Sequence, residues 1–379
     1  MKPIYLDYNA TTPIAPEVAH AMLPFLAEHF GNPSSNHPYG TVAKEAVEKA
    51  RAQVAQLLGC QRSEVVFTSG GTESNNYAIK GVAFSYRERG NHIITSAIEH
   101  PAVTEVCHWL ETQGFRITFL PVDKFGLVNP AELQRAIIPE TILVTVMHAN
   151  NEVGTIQSIA ELAKIAHARG ALMHTDAAQS TGKIPVQVKA LGVDLLSIAG
   201  HKLYAPKGVG ALYIKDSVRL TSLMHGAAHE NHRRAGTENV LGIVGLGKAC
   251  ELAAQNLDQQ MGHQQAMRDR LLEGLRRELG EEKLRLNGHP QQRLPNTLSL
   301  SFRGIEANAL LAEISSQLAA SAGAACHSGE VKISAVLAAM QVSPEWARGT
   351  IRFSVGQRTS AEEIDQAIKI VAEAVRRSG

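Results

Sequence analysis

The chain has 379 residues, enough for two structural units and a large buried core. Its 37 Lys and Arg against 36 Asp and Glu leave a formal net charge of +1, which supplies neither a basic stripe for direct nucleic-acid binding nor an acidic run for a basic partner. No stretch approaches the roughly 18 apolar residues of a membrane span, the opening MKPIYLDYNATTP has no apolar leader core, and four widely spaced cysteines without a CxxC pair point to reduced thiols; a soluble, cytoplasmic protein is expected.

From about residue 40 to 215 helical and strand patterns alternate. TVAKEAVEKARAQVAQLLG places apolar residues at helical spacing and closes on Gly59, a C-terminal cap. There follow a strand in EVVFTSGG, a strand HIITS, a helix PAVTEVCHWLETQG and strands in FRITFLPV and TILVTVMHA. A helix SIAELAKIAHARG precedes strands in ALMHTDAA, DLLSIAG and GVGALYI. Short apolar strands separated by helices predict an α/β unit with a mostly parallel sheet covered on both faces. A long helical stretch, TENVLGIV to LLEGLRREL, leads into a second pattern: strands NTLSLSF and TIRFSVG and a closing amphipathic helix SAEEIDQAIKIVAEAVRR. This predicts a smaller α+β unit beginning near residue 257, with no internal repeat.

Ligands of open α/β sheets gather at the carboxyl ends of the strands. There FTSGGTESNN sets Gly70, Gly71 and Thr72 between strand and helix, a cradle for an anion such as phosphate or a plain glycine turn. The Walker pattern is absent. MHTDAAQ leaves Asp176 and Gln179 past another strand, where a carboxylate caps a helix, binds a metal or pairs with a protonated ring nitrogen. Lys202 of AGHKLYAPKG completes a set that suits pyridoxal phosphate: a Schiff-base lysine, an acid for the pyridinium nitrogen and a phosphate site. Cys326 lies in SAGAACHSGE, a small-residue stretch without a bulky anchor where a mobile loop is expected. Its neighbour His327 could favour the thiolate. Cys60, Cys107 and Cys250 fall in helical or helix-end patterns and read as packing residues. His225, His229 and His232 of HGAAHENH lack carboxylate or cysteine partners at metal spacing, and no metal is expected.

The segments LDYNATTP, GNPSS, TSGGTESNN, HANNEVG, HTDAAQSTGK, GHKLYAPKGVGALY, RRAGTEN, GAACHSG and IRFSVG, in that order, strongly resemble the cysteine desulfurases of the NifS/IscS type. The resemblance runs from residue 4 to the C-terminal helix. It implies the aspartate-aminotransferase-like fold type I: a large pyridoxal-phosphate domain over residues 15–256 and a small α+β domain of residues 1–14 and 257–379 carrying a catalytic cysteine loop. Lys202 then corresponds to the Schiff-base lysine, Asp176 to the partner of the ring nitrogen, Gln179 to that of the phenolic oxygen, and His100 to the ring-stacking residue. Gly71, Thr72 and His201 hold the phosphate, with Thr237 reaching it from the other copy of a homodimer. Asn151 and Arg352 bind the substrate carboxylate, with Asn32 near by. Arginine suits a carboxylate through its planar fork.

The implied reaction converts L-cysteine to L-alanine, leaving a persulfide on Cys326 for a protein sulfur acceptor. That acceptor serves iron-sulfur cluster assembly or another thio-cofactor or nucleic-acid modification. GAACH also resembles the selenocysteine lyases, the alternative reading; a non-catalytic sulfur relay on the same fold is the distant one. Ala199 replaces the serine that many relatives place near the cofactor phosphate.

Overall fold

The computed structural model describes residues 2–327 and 330–378, with residues 324–327 and 330–332 described by their backbone alone. Strand β1 (Ile4–Tyr5) precedes a sheet of seven strands: β2 (Val65–Thr68), β3 (His92–Ser96), β4 (Arg116–Leu120), β5 (Thr141–Thr145), β6 (Leu172–Asp176), β7 (Leu195–Ala199) and β8 (Gly210–Ile214). Each corresponds to an apolar run recognised in the sequence. The order is β2-β8-β7-β6-β5-β3-β4. β8 is antiparallel to both neighbours and the other pairs are parallel, which makes the sheet mixed but mostly parallel.

The strands alternate between two cores. Phe67, Ile94, Val144, Met173, Leu196, Ile198 and Ala211 face one, while Val66, Ile93, Leu143, Leu195 and Leu212 face the other. Helices cover both faces, so the strands read as unbroken apolar runs. The helix Pro38–Leu58 starts a few residues earlier than its apolar spacing suggests, because Pro38 suits the first helical position and His37 caps it. It ends at Gly59, whose φ of 66° is the left-handed conformation expected of a helix-terminating glycine.

The bridging stretch is one 40-residue helix, Val240–Leu279, capped by Asn239. At about 1.5 Å per residue it spans about 60 Å, long enough to serve two cores. Ile243, Leu246, Ala249 and Ala253 enter the first, and Leu271, Leu272, Leu275 and Leu279 enter a separate one with Ile4 and Leu6. That last core lies against an antiparallel sheet of order β12-β15-β10-β9. Its strands are β9 (Leu284–Asn287), β10 (Thr297–Phe302), β12 (Ser321–Ala322) and β15 (Thr350–Ser354), and the helix Ala361–Ser378 closes the layer. β1 pairs in parallel with β11 (Leu318–Ala319), bringing the first residues of the chain beside the last third. The segment expected to be a loop around Cys326 forms a two-stranded hairpin, β13 (Ala324–His327) against β14 (Glu330–Ile333), with Cys326 opposite Val331. Small residues favour strands weakly, but the antiparallel backbone pairing with Glu330–Ile333 holds them in a ladder here.

Candidate active site

A cavity of about 320 Å³ opens at the carboxyl ends of the parallel strands, within the size range of small-molecule sites. Gly71, Thr72, His100, Asn151, Asp176, Gln179, His201, Lys202 and Arg352 all line it. The sequence separates these residues by up to 281 positions; the sheet topology brings them together. Asn32 does not line it: it is exposed, and its Oδ1 accepts from the Ser34 amide at 2.9 Å. Thr237 is likewise exposed and outside the cavity of its own chain. The side chain of Cys326 lies outside the described residues.

Lys202 leaves β7 through a tight turn, Gly200–Lys202. Only glycine fits at position 200, because a Cβ there would stand 2.8 Å from the carbonyl oxygen of Val209. Past the lysine, Tyr204 takes a φ of 65°, costly for a residue with a side chain, held by its N–H bond to Thr12 Oγ1 at 2.9 Å. Lys202 Nζ donates to the carbonyls of Asn9 and Ala10 at 2.6 and 2.8 Å. Burial first, then the Arg352 charge, lowers its pKa to about 8, against the opposing pull of Asp7 and Asp176.

Asp176 ends β6, buried, with Oδ2 accepting from Asn75 Nδ2 at 2.7 Å and Oδ1 from the Ala178 amide at 2.9 Å. Two donors keep the carboxylate fixed at the cavity wall. His100 caps the helix Pro101–Thr112, its Nδ1 accepting from the Ala102 amide at 3.1 Å. Desolvation by the cavity walls lowers its pKa, Lys202 adds to this and Asp176 opposes it. Burial and the charges of Lys202, Lys207 and Lys183 lower His201 to about 4, so the ring is neutral at physiological pH. Its Nδ1 meets Thr11 Oγ1 at 3.2 Å. Arg352, on β15, donates to the Asn151 carbonyl at 3.0 Å, to Asp7 Oδ1 at 2.8 Å and to Ser321 Oγ at 3.0 Å.

Three site residues escape sequence reasoning. Asn9, buried in the LDYNATTP segment, receives Lys202, Gln179 and Lys183 and reaches Thr297. Asn75 orients Asp176 from one turn inside the helix Gly71–Ser85. Lys183 lies buried behind Gln179. Asn75 and Lys183 sit within quoted motifs, but only contacts across the fold mark them out.

The residues present suit pyridoxal phosphate. Asn75 Oδ1 and Arg352 Nε are buried without a hydrogen-bond partner among the described residues, and both belong to residues that line the cavity. A helix N-terminus at Gly71 and Thr72 offers backbone N–H groups to an anion. An amine brought down to about 8 can attack a carbonyl near neutral pH.

The Aminotransferase class-V family matches residues 4–367. A protein of Methanosarcina thermophila described as cysteine desulfurase IscS is 49% identical over 377 residues, 99% of this chain and 93% of that protein. A solved NifS-like protein superposes with a TM-score of 0.93 at 38% identity over 100% of both chains. The structure of SspA in complex with cysteine gives a TM-score of 0.81 at 36% identity, covering 95% of this chain and 100% of that one. Fold and site together define a pyridoxal-phosphate enzyme of fold type I. Within that class the chain belongs to the class-V aminotransferase family, on its cysteine desulfurase branch.

Proposed function

We propose that the protein is a cysteine desulfurase that converts L-cysteine to L-alanine and carries the released sulfur as a persulfide on Cys326. The observation that supports this most strongly is one cavity holding an amine near pKa 8, Lys202, a fixed carboxylate, Asp176, and a guanidinium, Arg352. When bound, pyridoxal phosphate supplies an electron sink for the substrate's Cα. Asp176 would keep the ring nitrogen protonated, Gln179 would meet the phenolic oxygen, and Gly71, Thr72 and neutral His201 would hold the phosphate.

Arg352 and Asn151 would orient the substrate carboxylate, the arginine through its fork. His100 would cover the ring and share with Lys202 the movement of the Cα proton. The Cys326 thiolate would attack the substrate sulfur; the S–S bond forms as the C–S bond breaks, and a proton completes alanine. The other described cysteines are poor candidates, since burial raises the thiols of Cys60, Cys107 and Cys250 to about 12.

A homodimer is part of the proposal. Leu23, Leu26, Phe30 and Tyr39 stand 57, 63, 71 and 59% exposed near the chain's start, an apolar surface that a second copy would cover, and Thr237 of that copy would complete the phosphate site. The persulfide would pass to a protein acceptor for iron-sulfur cluster assembly or another sulfur-requiring pathway. No helix among the described residues is long and apolar enough to cross a membrane.

The test is incubation with L-cysteine, amino-acid analysis for alanine, and mass spectrometry of the protein. Alanine production with a mass increment of one sulfur on Cys326, both absent in Lys202→Ala, is expected. Sulfur on another cysteine, or undiminished alanine from Lys202→Ala, overturns the assignment.

A further inference from the structure

Lys183 is buried, and the carboxylates of the described residues form no ion pair with it. Its Nζ lies 2.9 Å from Gln179 Oε1 and 3.3 Å from Asn9 Oδ1. On the opposite side of the same amide, Gln179 Nε2 donates to the backbone carbonyl of Asn9 at 3.0 Å. These two contacts leave the amide a single orientation. A carbonyl can only accept, so the NH₂ must face Asn9, and the oxygen is left to the lysine, which supplies the donor. The second Nε2 proton is then free for the cavity that Gln179 lines.

We propose that Lys183 is a positioning residue that locks the Gln179 amide so that the cavity is offered an N–H donor, which selects an ionised phenolic oxygen on the cofactor. The inference rests on the function proposed above. Asn9 strengthens the lock, because its own amide is held by Asn296 Nδ2 on Oδ1 at 2.9 Å and by Thr297 Oγ1 accepting from Nδ2 at 2.8 Å. Burial, with Lys202 and Arg352 adding to it, brings Lys183 well below the ordinary lysine value. Protonated or neutral, the amine keeps N–H donors, so its contact with Gln179 Oε1 orients the amide in either state.

The experiment is a double-mutant cycle of Lys183→Met and Gln179→Leu, read by the absorption of the reconstituted holoenzyme and by the dissociation constant for pyridoxal phosphate. Lys183→Met is expected to shift absorption from the yellow form, with an ionised phenolic oxygen, toward the near-ultraviolet form. It is also expected to raise the dissociation constant about tenfold, the equivalent of about 1.4 kcal/mol. In the Gln179→Leu background it should add nothing. Wild-type absorption and affinity in Lys183→Met, or effects that add fully, overturn the proposal even if the melting temperature falls. If Lys183→Met does not fold, Lys183→Gln takes its place in the same cycle, with a partial shift and the same lack of additivity expected. Failure of the wild-type protein to take up the cofactor refutes the underlying function as well, whereas failure of the cycle alone leaves that function standing.

Discussion

The amine of Lys202 is predicted to titrate near pH 8 in the cofactor-free protein. Moving a lysine from 10.5 to about 8 favours the neutral amine by about 3 kcal/mol. At pH 7.5 about a quarter of the molecules then carry a free amine, against ~0.1% for an ordinary lysine, a gain of ~200-fold in reactive nucleophile. Burial is the larger cause and Arg352 the second. Arg352→Met removes that charge and also frees Asp7 from its 2.8 Å ion pair, and both changes move the titration upward. Asp176→Asn removes a carboxylate that raises the value and should move it downward.

The assay is reductive methylation of Lys202 followed by mass spectrometry from pH 6 to about 11, a range spanning the shifted and ordinary values. A wild-type midpoint near 10 or above refutes the reasoning, as does a downward shift in Arg352→Met. Linkage gives a second check. The folded pKa is depressed, so the unfolded chain binds more protons between about 8 and 10.5. Stability should therefore rise with pH through that window and the contribution should be lost as pH falls through about 8. Lys202→Met should flatten the rise.

Glu99 has the opposite sign. Burial raises it to about 8, so its contribution is present below its unfolded value and lost as pH rises through about 8, and Glu99→Gln should raise the melting temperature more at pH 9 than at pH 6. Arg51 grips buried Glu230 through two bonds of 2.7 and 2.8 Å; Arg51→Met strands that carboxylate and should cost about 3–5 kcal/mol in urea denaturation, and a loss under 1 kcal/mol would mean that Glu230 finds water. Cys326→Ser should retain cofactor uptake, as judged by absorption, while alanine formation from cysteine falls to background; alanine at the wild-type rate shows that another group receives the sulfur.

Much of this architecture is written locally. Seven apolar runs specify the seven strands because a doubly covered sheet needs no polar face, and Gly59 marks a helix end because few other residues take its conformation cheaply. Lys202, Asp176 and Thr72 are legible because each stands at or just past the carboxyl end of a strand, where the fold class places ligands. Arg352 is legible by resemblance alone: its sequence context reads as a surface charge at a strand end, whereas the structure sets it half-buried in the middle of β15. Chain order could not show that β8 runs antiparallel between β2 and β7, or that the residues around Cys326 pair as a hairpin, because ladder hydrogen bonds depend on which backbone arrives alongside. Nor could it show Asn9 joining Lys202, Gln179 and Lys183 from 170 or more residues away. Local propensity and hydrophobic period are carried by neighbouring residues. The depressed basicity of Lys202 and the orientation of Gln179 arise from burial and from charges that only the packed chain brings together.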